Sequence, residues 1–171
     1  MSMMNPPPGW LEGRRLERFA SPAEAETVEI GARFSLSELG RVNAEVNRRM
    51  PWVKEEKDVW GQGSDCEEIA IAKRDELVLL RWPAGALRLT VVNLRGVRGH
   101  CVLSVMPAEG EPWILDNLMA PIFVRSHLEK VGGYRFICRE SPGSLLWESL
   151  MPAKPFSLAD LGKKARDEAP T

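Results

Sequence analysis

The spacing of apolar residues changes near Gly85, and this change limits the folds that the 171-residue chain can adopt. Before Gly85, apolar residues recur at intervals of three and four, which is the period of an amphipathic helix. After Gly85, short apolar runs alternate with turns that contain glycine and proline, which is typical of strands. Helices followed by strands predict an α+β fold, in which N-terminal helices pack on an antiparallel β-sheet.

Two helix starts lie in the first third of the chain. The segment 21–24, Ser-Pro-Ala-Glu, has the cap, proline and glutamate of a short helix that would end near Gly31. Ser35 and Glu38 form a capping box for a second helix, and Pro51 ends it.

A third helix start surrounds Cys66. Ser64-Asp65-Cys66-Glu67 is again a capping box, and it predicts that Cys66 is the second residue of a helix. Free N–H groups and the positive end of the helix dipole at this position favour a thiolate, which is the reactive form of cysteine. The position also lies on the apolar face of the helix, so packing in the core explains this cysteine equally well. That face comprises Cys66, Ile69, Ala70, Lys73 and Leu77, of which Lys73 is the only polar member after Cys66.

The apolar runs after Gly85 predict four strands, over residues 87–94, 101–106, 113–118 and 134–139. The predicted organisation is an N-terminal arm with one short helix over residues 1–33, a domain over residues 34–150, and a tail over residues 151–171. The tail contains one short helical pattern over residues 158–165.

Composition excludes several classes of function. Lysine and arginine number 23 against 24 aspartates and glutamates, so no net charge attracts nucleic acid or an anionic membrane. No apolar run approaches the roughly 18 residues of a membrane span. Three widely spaced cysteines without a CxxC pair argue against disulfides and zinc, and Cys101 and Cys138 are expected to be buried in strands. The first ten residues lack a secretory leader, which predicts a cytoplasmic protein, or a periplasmic one if a leader was removed or export takes another route.

A hairpin brings a histidine and a carboxylate together. Folding the chain about residues 108–110 places His100 opposite roughly residues 116–119, within reach of Asp116. A carboxylate on one ring nitrogen orients the imidazole and leaves the other nitrogen to face a thiol. Cys66 at the start of a helix, facing His100 and Asp116 on the hairpin, would then have the layout of papain-like and transglutaminase-like enzymes. His127 has no obvious partner and is expected at the surface.

Four short motifs resemble one known family, the bacterial transglutaminase-like cysteine peptidases. Residues 65–73, DCEEIAIAK, are similar to the GDCEDYAIAK signature of that family, and residues 42–47, VNAEVN, to its VNxxVN helix. Residues 100–103, HCVL, resemble the HxVL strand, and residues 115–118, LDNL, the LDN strand. The motifs occur in the family's order between residues 34 and 120.

The resemblance implies a papain/transglutaminase-like fold and a thiol peptidase with Cys66, His100 and Asp116 as its triad, acting on a protein or peptide substrate. Some members are periplasmic proteases that cleave surface adhesins under the control of a membrane cyclic-dinucleotide receptor, which implies a regulatory protein partner. Those members bind calcium through carboxylates flanking the cysteine, which here are Asp65 and Glu67. Calcium would also offset the repulsion between these acids and a thiolate, although acids are favoured in any first helical turn.

The sequence departs from the family pattern around the cysteine. Ser64 replaces the expected glycine, and the segment before Cys66 is short. The backbone N–H of Cys66 is one candidate oxyanion donor, and Gln62 or Trp60 is a candidate for the second.

Two alternatives share the fold. The same triad serves a transglutaminase or a deamidase acting on glutamine side chains, because the chemistry is common until the acceptor arrives. The domain would otherwise be an inactive binding module, such as an adaptor or a virion component.

Overall fold

A computed structural model describes residues 2–5, 24–51, 65–95, 97–144 and 146–152. It has three α-helices and a seven-stranded antiparallel sheet. The helices are α1 (Leu36–Arg49), α2 (Cys66–Leu79) and the single turn α3 (Arg125–His127), which continues into a π-helical turn over Leu128–Gly132. The α+β class predicted from the period change is confirmed. Among the described residues, no helix has the length and apolar content that crossing a bilayer requires.

The sheet is built in the order β1-β7-β6-β2-β3-β4-β5, with every neighbouring pair antiparallel. Its strands are β1 (Met3–Met4), β2 (Leu87–Leu94), β3 (Val97–Val105), β4 (Trp113–Leu115), β5 (Phe123–Val124), β6 (Arg135–Glu140) and β7 (Trp147–Ser149).

The two long helices cover one face of the sheet. Helix α2 packs across β2 and β3, while α1 packs on α2 and on β4. Leu39, Val42 and Val46 of α1 are fully buried in the core that forms between these layers. The start of α1 is as predicted, since Ser35 Oγ accepts the N–H of Glu38 at 3.2 Å. The opposite face of the sheet carries a smaller apolar cluster.

Strand positions follow the apolar pattern, and their ends depend on the turns. Residues 87–94 form a strand as predicted, but β3 begins at Val97 and β4 already ends at Leu115. Asp116 therefore lies just after a strand and not within it, because its side chain accepts the N–H of Leu118 and turns the chain. The short strands β1, β5 and β7 were missed, since two or three residues cannot display a period.

The helix predicted to end near Gly31 is wrong over the part that is described. Residues 24–34 are extended or bent, and Val28 forms a bridge with Pro107. The N–H of Val28 donates to Met106 O at 2.9 Å, so this tertiary pairing overrides the local helix signal. The preceding segment also packs tightly on Gly85, where a Cβ atom would clash with Glu24 O.

Parts of the predicted N-terminal arm belong to the packed structure. Met3 and Met4 pair with β7 at the edge of the sheet, and Val28 is 2% exposed within the main core. The domain boundaries at residues 34 and 150 stay a prediction. The helical pattern at 158–165 lies outside the described residues.

Candidate active site

Cys66 is the first residue of α2. Asp65 caps the helix, with its Oδ1 accepting the N–H groups of Glu67 at 3.1 Å and Glu68 at 2.9 Å. The capping box predicted from Ser64, with Cys66 in second place, is therefore shifted by one residue, because the aspartate carboxylate makes both capping bonds. Cys66 still has an N–H group that the helix does not use, but the thiolate predicted from this position is not favoured, because burial raises the pKa of the thiol.

The thiol of Cys66 lies on the backbone of β3. Its Sγ accepts the N–H of Cys101 at 3.3 Å, and Cys101 directly follows His100 in the strand. The cysteine side chain is half-buried against the main core. Packing of α2 on β3 thus places the thiol beside the backbone that carries the histidine.

The electrostatic surroundings keep this thiol protonated. Burial raises the pKa of Cys66 to about 12, against the opposing effect of the N–H of Cys101. The charges of Glu67 and Asp65 raise the pKa further. The resting side chain is therefore a thiol, and it needs a base before it can attack.

The hairpin between β3 and β4 brings His100 and Asp116 together. The strands pair Leu103 with Leu115 and Val105 with Trp113. Continuing this register three residues beyond Leu103 takes His100 to the level of residue 118, inside the range expected from the turn. His100 Nε2 lies 2.8 Å from Asp116 Oδ1. That contact leaves Nδ1 as the ring nitrogen that can take a proton from a nucleophile.

Asp116 is almost fully buried and nevertheless favours its charged form. Burial alone would raise its pKa, but the hydrogen bond and charge of His100, the N–H of Leu118 and the hydroxyl of Tyr134 together lower the pKa below its usual value. The side chain of Asp116 is 0% exposed and that of His100 is 3% exposed, so this pair is shielded from water.

Tyr134 is a partner of Asp116 that the sequence did not indicate. Its hydroxyl donates to Asp116 Oδ2 at 2.5 Å. The residue directly precedes β6, which lies on the far side of β2 from the hairpin, so no spacing along the chain connects it to Asp116. Its only sequence signal is that it is the single tyrosine of the chain.

Two asparagines of α1 hold the turn that follows Asp116. Asn47 Nδ2 donates to the backbone oxygens of Asp116 at 2.8 Å and Met119 at 3.1 Å. Asn43 Nδ2 donates to Met119 O and Ala120 O, both at 2.9 Å. The VNxxVN pattern thus places two amides one turn apart on the same helix face, and they attach α1 to the chain that carries the carboxylate.

Lys73 is a basic residue of α2 that is buried in the core. It is 1% exposed, and burial lowers its pKa to about 7, although the charge of Asp116 acts in the opposite direction. This lysine therefore titrates near neutral pH inside the same helix that carries Cys66.

The residues suggested for calcium lie at the start of α2. Asp65 and Glu67 provide carboxylate oxygens, the ligand type that calcium prefers, and Glu67 is 4% exposed. Their charges raise the thiol pKa, so a cation at this place would compensate them. The donor chemistry fits calcium. Within the described ranges, however, no three His, Cys, Asp or Glu side chains come together as ligands, so water or carbonyl oxygens would have to complete the shell.

The other residues named from the sequence are the two oxyanion candidates, a second histidine and two further cysteines. Gln62 and Trp60, the oxyanion candidates, lie outside the described residues. His127 is exposed and stacks on Phe123 at a ring distance of 4.6 Å, as expected for a surface histidine. The other cysteines, Cys101 and Cys138, are buried and are not part of a disulfide.

Comparison with known proteins identifies the family and the fold. The model of the bacterial transglutaminase-like cysteine proteinase family (BTLCP) matches residues 7–154. Calcium-bound LapG of Legionella pneumophila, a family member, has 27% sequence identity and a TM-score of 0.56, with coverage of 75% of this chain and 79% of LapG. EGTA-treated LapG has 27% identity and a TM-score of 0.55, with 76% and 75% coverage. No curated protein matches the sequence. The chain belongs to the family of bacterial transglutaminase-like cysteine proteinases and is a cysteine peptidase with the transglutaminase-like fold.

Proposed function

We propose that this peptidase hydrolyses a peptide bond through an acyl-enzyme, with Cys66 as nucleophile, His100 as base and Asp116 as the group that orients the imidazole. One chain of contacts carries the proposal. Cys66 Sγ accepts the N–H of Cys101, the residue after His100, and His100 Nε2 is bonded to Asp116 Oδ1 inside a shielded pair.

The proposed reaction starts from the protonated thiol of Cys66. Nδ1 of a neutral His100 takes the proton of the Cys66 thiol as Sγ attacks the substrate carbonyl carbon, and a C–S bond forms. The C–N bond then breaks, and the imidazolium returns its proton to the leaving amine. A water molecule attacks the thioester with His100 again as base, which releases the acid and restores the thiol. Asp116 stays ionised and supports the transient imidazolium.

The start of α2 supplies one oxyanion donor in this proposal. The N–H of Cys66 is at the first helical position, where the helix does not use it, and it lies on the nucleophile itself. Gln62 or Trp60 is proposed for the second donor.

Calcium is proposed as a cofactor held by Asp65 and Glu67. The calcium-bound and EGTA-treated states of LapG, together with the buried Glu67 and the neighbouring Asp65 beside Cys66, support this proposal. When bound, the ion would supply positive charge that compensates these acids. Glu67→Gln removes one of them, so it should weaken calcium binding in calorimetry, whereas Glu109→Gln in the exposed hairpin turn should leave it unchanged. Equal calcium affinity in both variants would contradict the assignment.

The catalytic proposal is tested with a peptide library read by mass spectrometry. The parent protein should give cleavage fragments, and Cys66→Ala and His100→Ala should each abolish them. His127→Ala is the matched control, because it removes the exposed histidine and should retain activity. Fragments that persist in both Cys66→Ala and His100→Ala would refute the mechanism. Crosslinked peptides or a mass increase of about one dalton would instead identify transamidation or deamidation.

Thiol labelling tests the nucleophile without a substrate. Iodoacetamide should modify half-buried Cys66 before the buried Cys101 and Cys138, and His100→Ala should slow that modification because the base is lost. Equal rates at the three cysteines of the native protein would contradict the assignment of Cys66.

A further inference from the structure

Asp116 is held by hydrogen bonds to both of its carboxylate oxygens. Oδ1 accepts from His100 Nε2 at 2.8 Å and from the N–H of Leu118 at 2.9 Å. Oδ2 accepts from the hydroxyl of Tyr134 at 2.5 Å. A short hydrogen bond to an ionised acceptor belongs to the strong class. Tyr134 therefore draws on negative charge that would otherwise act only on His100 and the N–H of Leu118.

Tyr134 is held firmly in this position. Gly133 adopts a left-handed conformation with φ of 68° at the end of the π-helical turn, and the N–H of Tyr134 donates to Leu128 O at 3.2 Å. The tyrosine ring passes over Gly132, where a Cβ atom would come within 2.8 Å of the ring Cδ2. The backbone thus directs the hydroxyl to Asp116, and the missing side chain at Gly132 makes room for the ring.

The hydroxyl of Tyr134 is a permanent donor. Burial, together with the hydrogen bond and charge of Asp116, raises its pKa far above the usual value. It stays protonated over the whole range in which a histidine titrates.

We propose that Tyr134 is a positioning residue of the peptidase, one that fixes the Asp116 carboxylate and limits the charge it presents to His100. Through that charge it sets the pH at which the imidazole changes protonation. The inference rests on the proposed function for its effect on catalysis, whereas its effect on His100 can be measured without a substrate.

The sign of the effect follows from the contacts. In Tyr134→Phe, Asp116 Oδ2 loses its donor inside the protein, so more of its negative charge is available to the imidazolium of His100. The charged imidazole is then favoured, and the His100 titration moves to higher pH. Among the described residues, the titratable groups near Asp116 and His100 include Tyr134, just before β6, and Lys73 and Cys66 of α2. Lys73 and Cys66 are both retained in Tyr134→Phe.

Histidine NMR provides the test, because the chain has two histidines. The titration midpoint of His100 should rise by about one pH unit in Tyr134→Phe, the size expected for losing a hydrogen bond to a charged group. The midpoint of exposed His127 should stay constant as an internal control. The pH profile of peptide hydrolysis should shift in the same direction, which a residue serving only packing would not cause.

The single tyrosine allows a second perturbation of opposite sign. Growth on 3-fluorotyrosine replaces only Tyr134 and makes the phenol a stronger donor, so the His100 midpoint should move to lower pH. The fluorinated protein keeps the tyrosine ring in place, so it provides the test if Tyr134→Phe does not fold. A His100 midpoint unchanged by fluorination, and by Tyr134→Phe if that variant folds, overturns the inference. Failure of the proposed function would be recognised by a different result, namely peptide hydrolysis that persists in Cys66→Ala.

Discussion

Replacing Lys73 by methionine should remove a pH-dependent destabilisation of the folded protein. Lys73 is 1% exposed on the core face of α2, and burial lowers its pKa from 10.5 to about 7. A pKa shift of this size means that burial favours the neutral amine of Lys73 over the charged ammonium by about 5 kcal/mol. Methionine has a similar volume without the charge, so it fills the same space at little packing cost.

The pH dependence has a definite sign. At pH values below about 7, Lys73 is charged in the folded and unfolded states, and the whole penalty is present. Between about pH 7 and pH 10.5 the unfolded chain still binds the proton that the folded protein has lost, so stability rises with pH. Between about pH 6.5 and about pH 8.5 this gain amounts to about 2 kcal/mol.

Urea unfolding, followed by the fluorescence of the six tryptophans, measures the effect. The unfolding free energy of the parent should rise relative to Lys73→Met by about 2 kcal/mol across that pH range. Lys130→Met is the matched control, because this exposed lysine lies in the π-helical turn, and it should keep the pH dependence of the parent. Parallel curves for the parent and Lys73→Met would refute the reasoning.

Three further changes test the packing that supports the site. Arg74→Met should cost about 3–5 kcal/mol in chemical unfolding, because it leaves the buried Glu140, bonded to Arg74 at 2.9 Å, without its counter-charge; adding Glu140→Leu should recover most of the loss. Asn47→Ala should lower the unfolding free energy by about 1–2 kcal/mol and reduce peptide cleavage, because it frees the backbone that carries Asp116. Gly85→Ala should lower the melting temperature, because its Cβ would clash with the backbone oxygen of Glu24.

Each of these changes has a control in the same fold. Arg49→Met breaks the more exposed pair of Arg49 with Glu76 and should cost much less than Arg74→Met; an equal loss would contradict the burial argument. Asn47→Ala with full cleavage activity would show that the turn does not need this amide. Gly40→Ala, where a Cβ has open space, should not lower the melting temperature, and an equal loss at both glycines would contradict the contact at Gly85.

Local pattern predicted the elements that position the thiol and the imidazole. The helix that starts at Cys66 follows from polar caps and apolar spacing, both of which act within a few residues. The hairpin follows from one glycine- and proline-containing turn, whose centre determines the register that brings His100 near Asp116. The predicted position of the helix cap was wrong by one residue, because serine and aspartate are both good caps and the pattern does not distinguish Ser64 from Asp65.

Long-range packing decided what the pattern could not show. The segment around Val28 is not helical despite its helix signal, because the N–H of Val28 forms a hydrogen bond with Met106 O, far along the chain. Tyr134 reaches Asp116 from beyond β2, and Asn47 reaches the same turn from α1. Contacts between distant segments leave no period and no fixed spacing in the chain. The sequence alone therefore determined the α+β class and the neighbouring pair of His100 and Asp116, whereas only the tertiary structure decided which further groups surround that carboxylate.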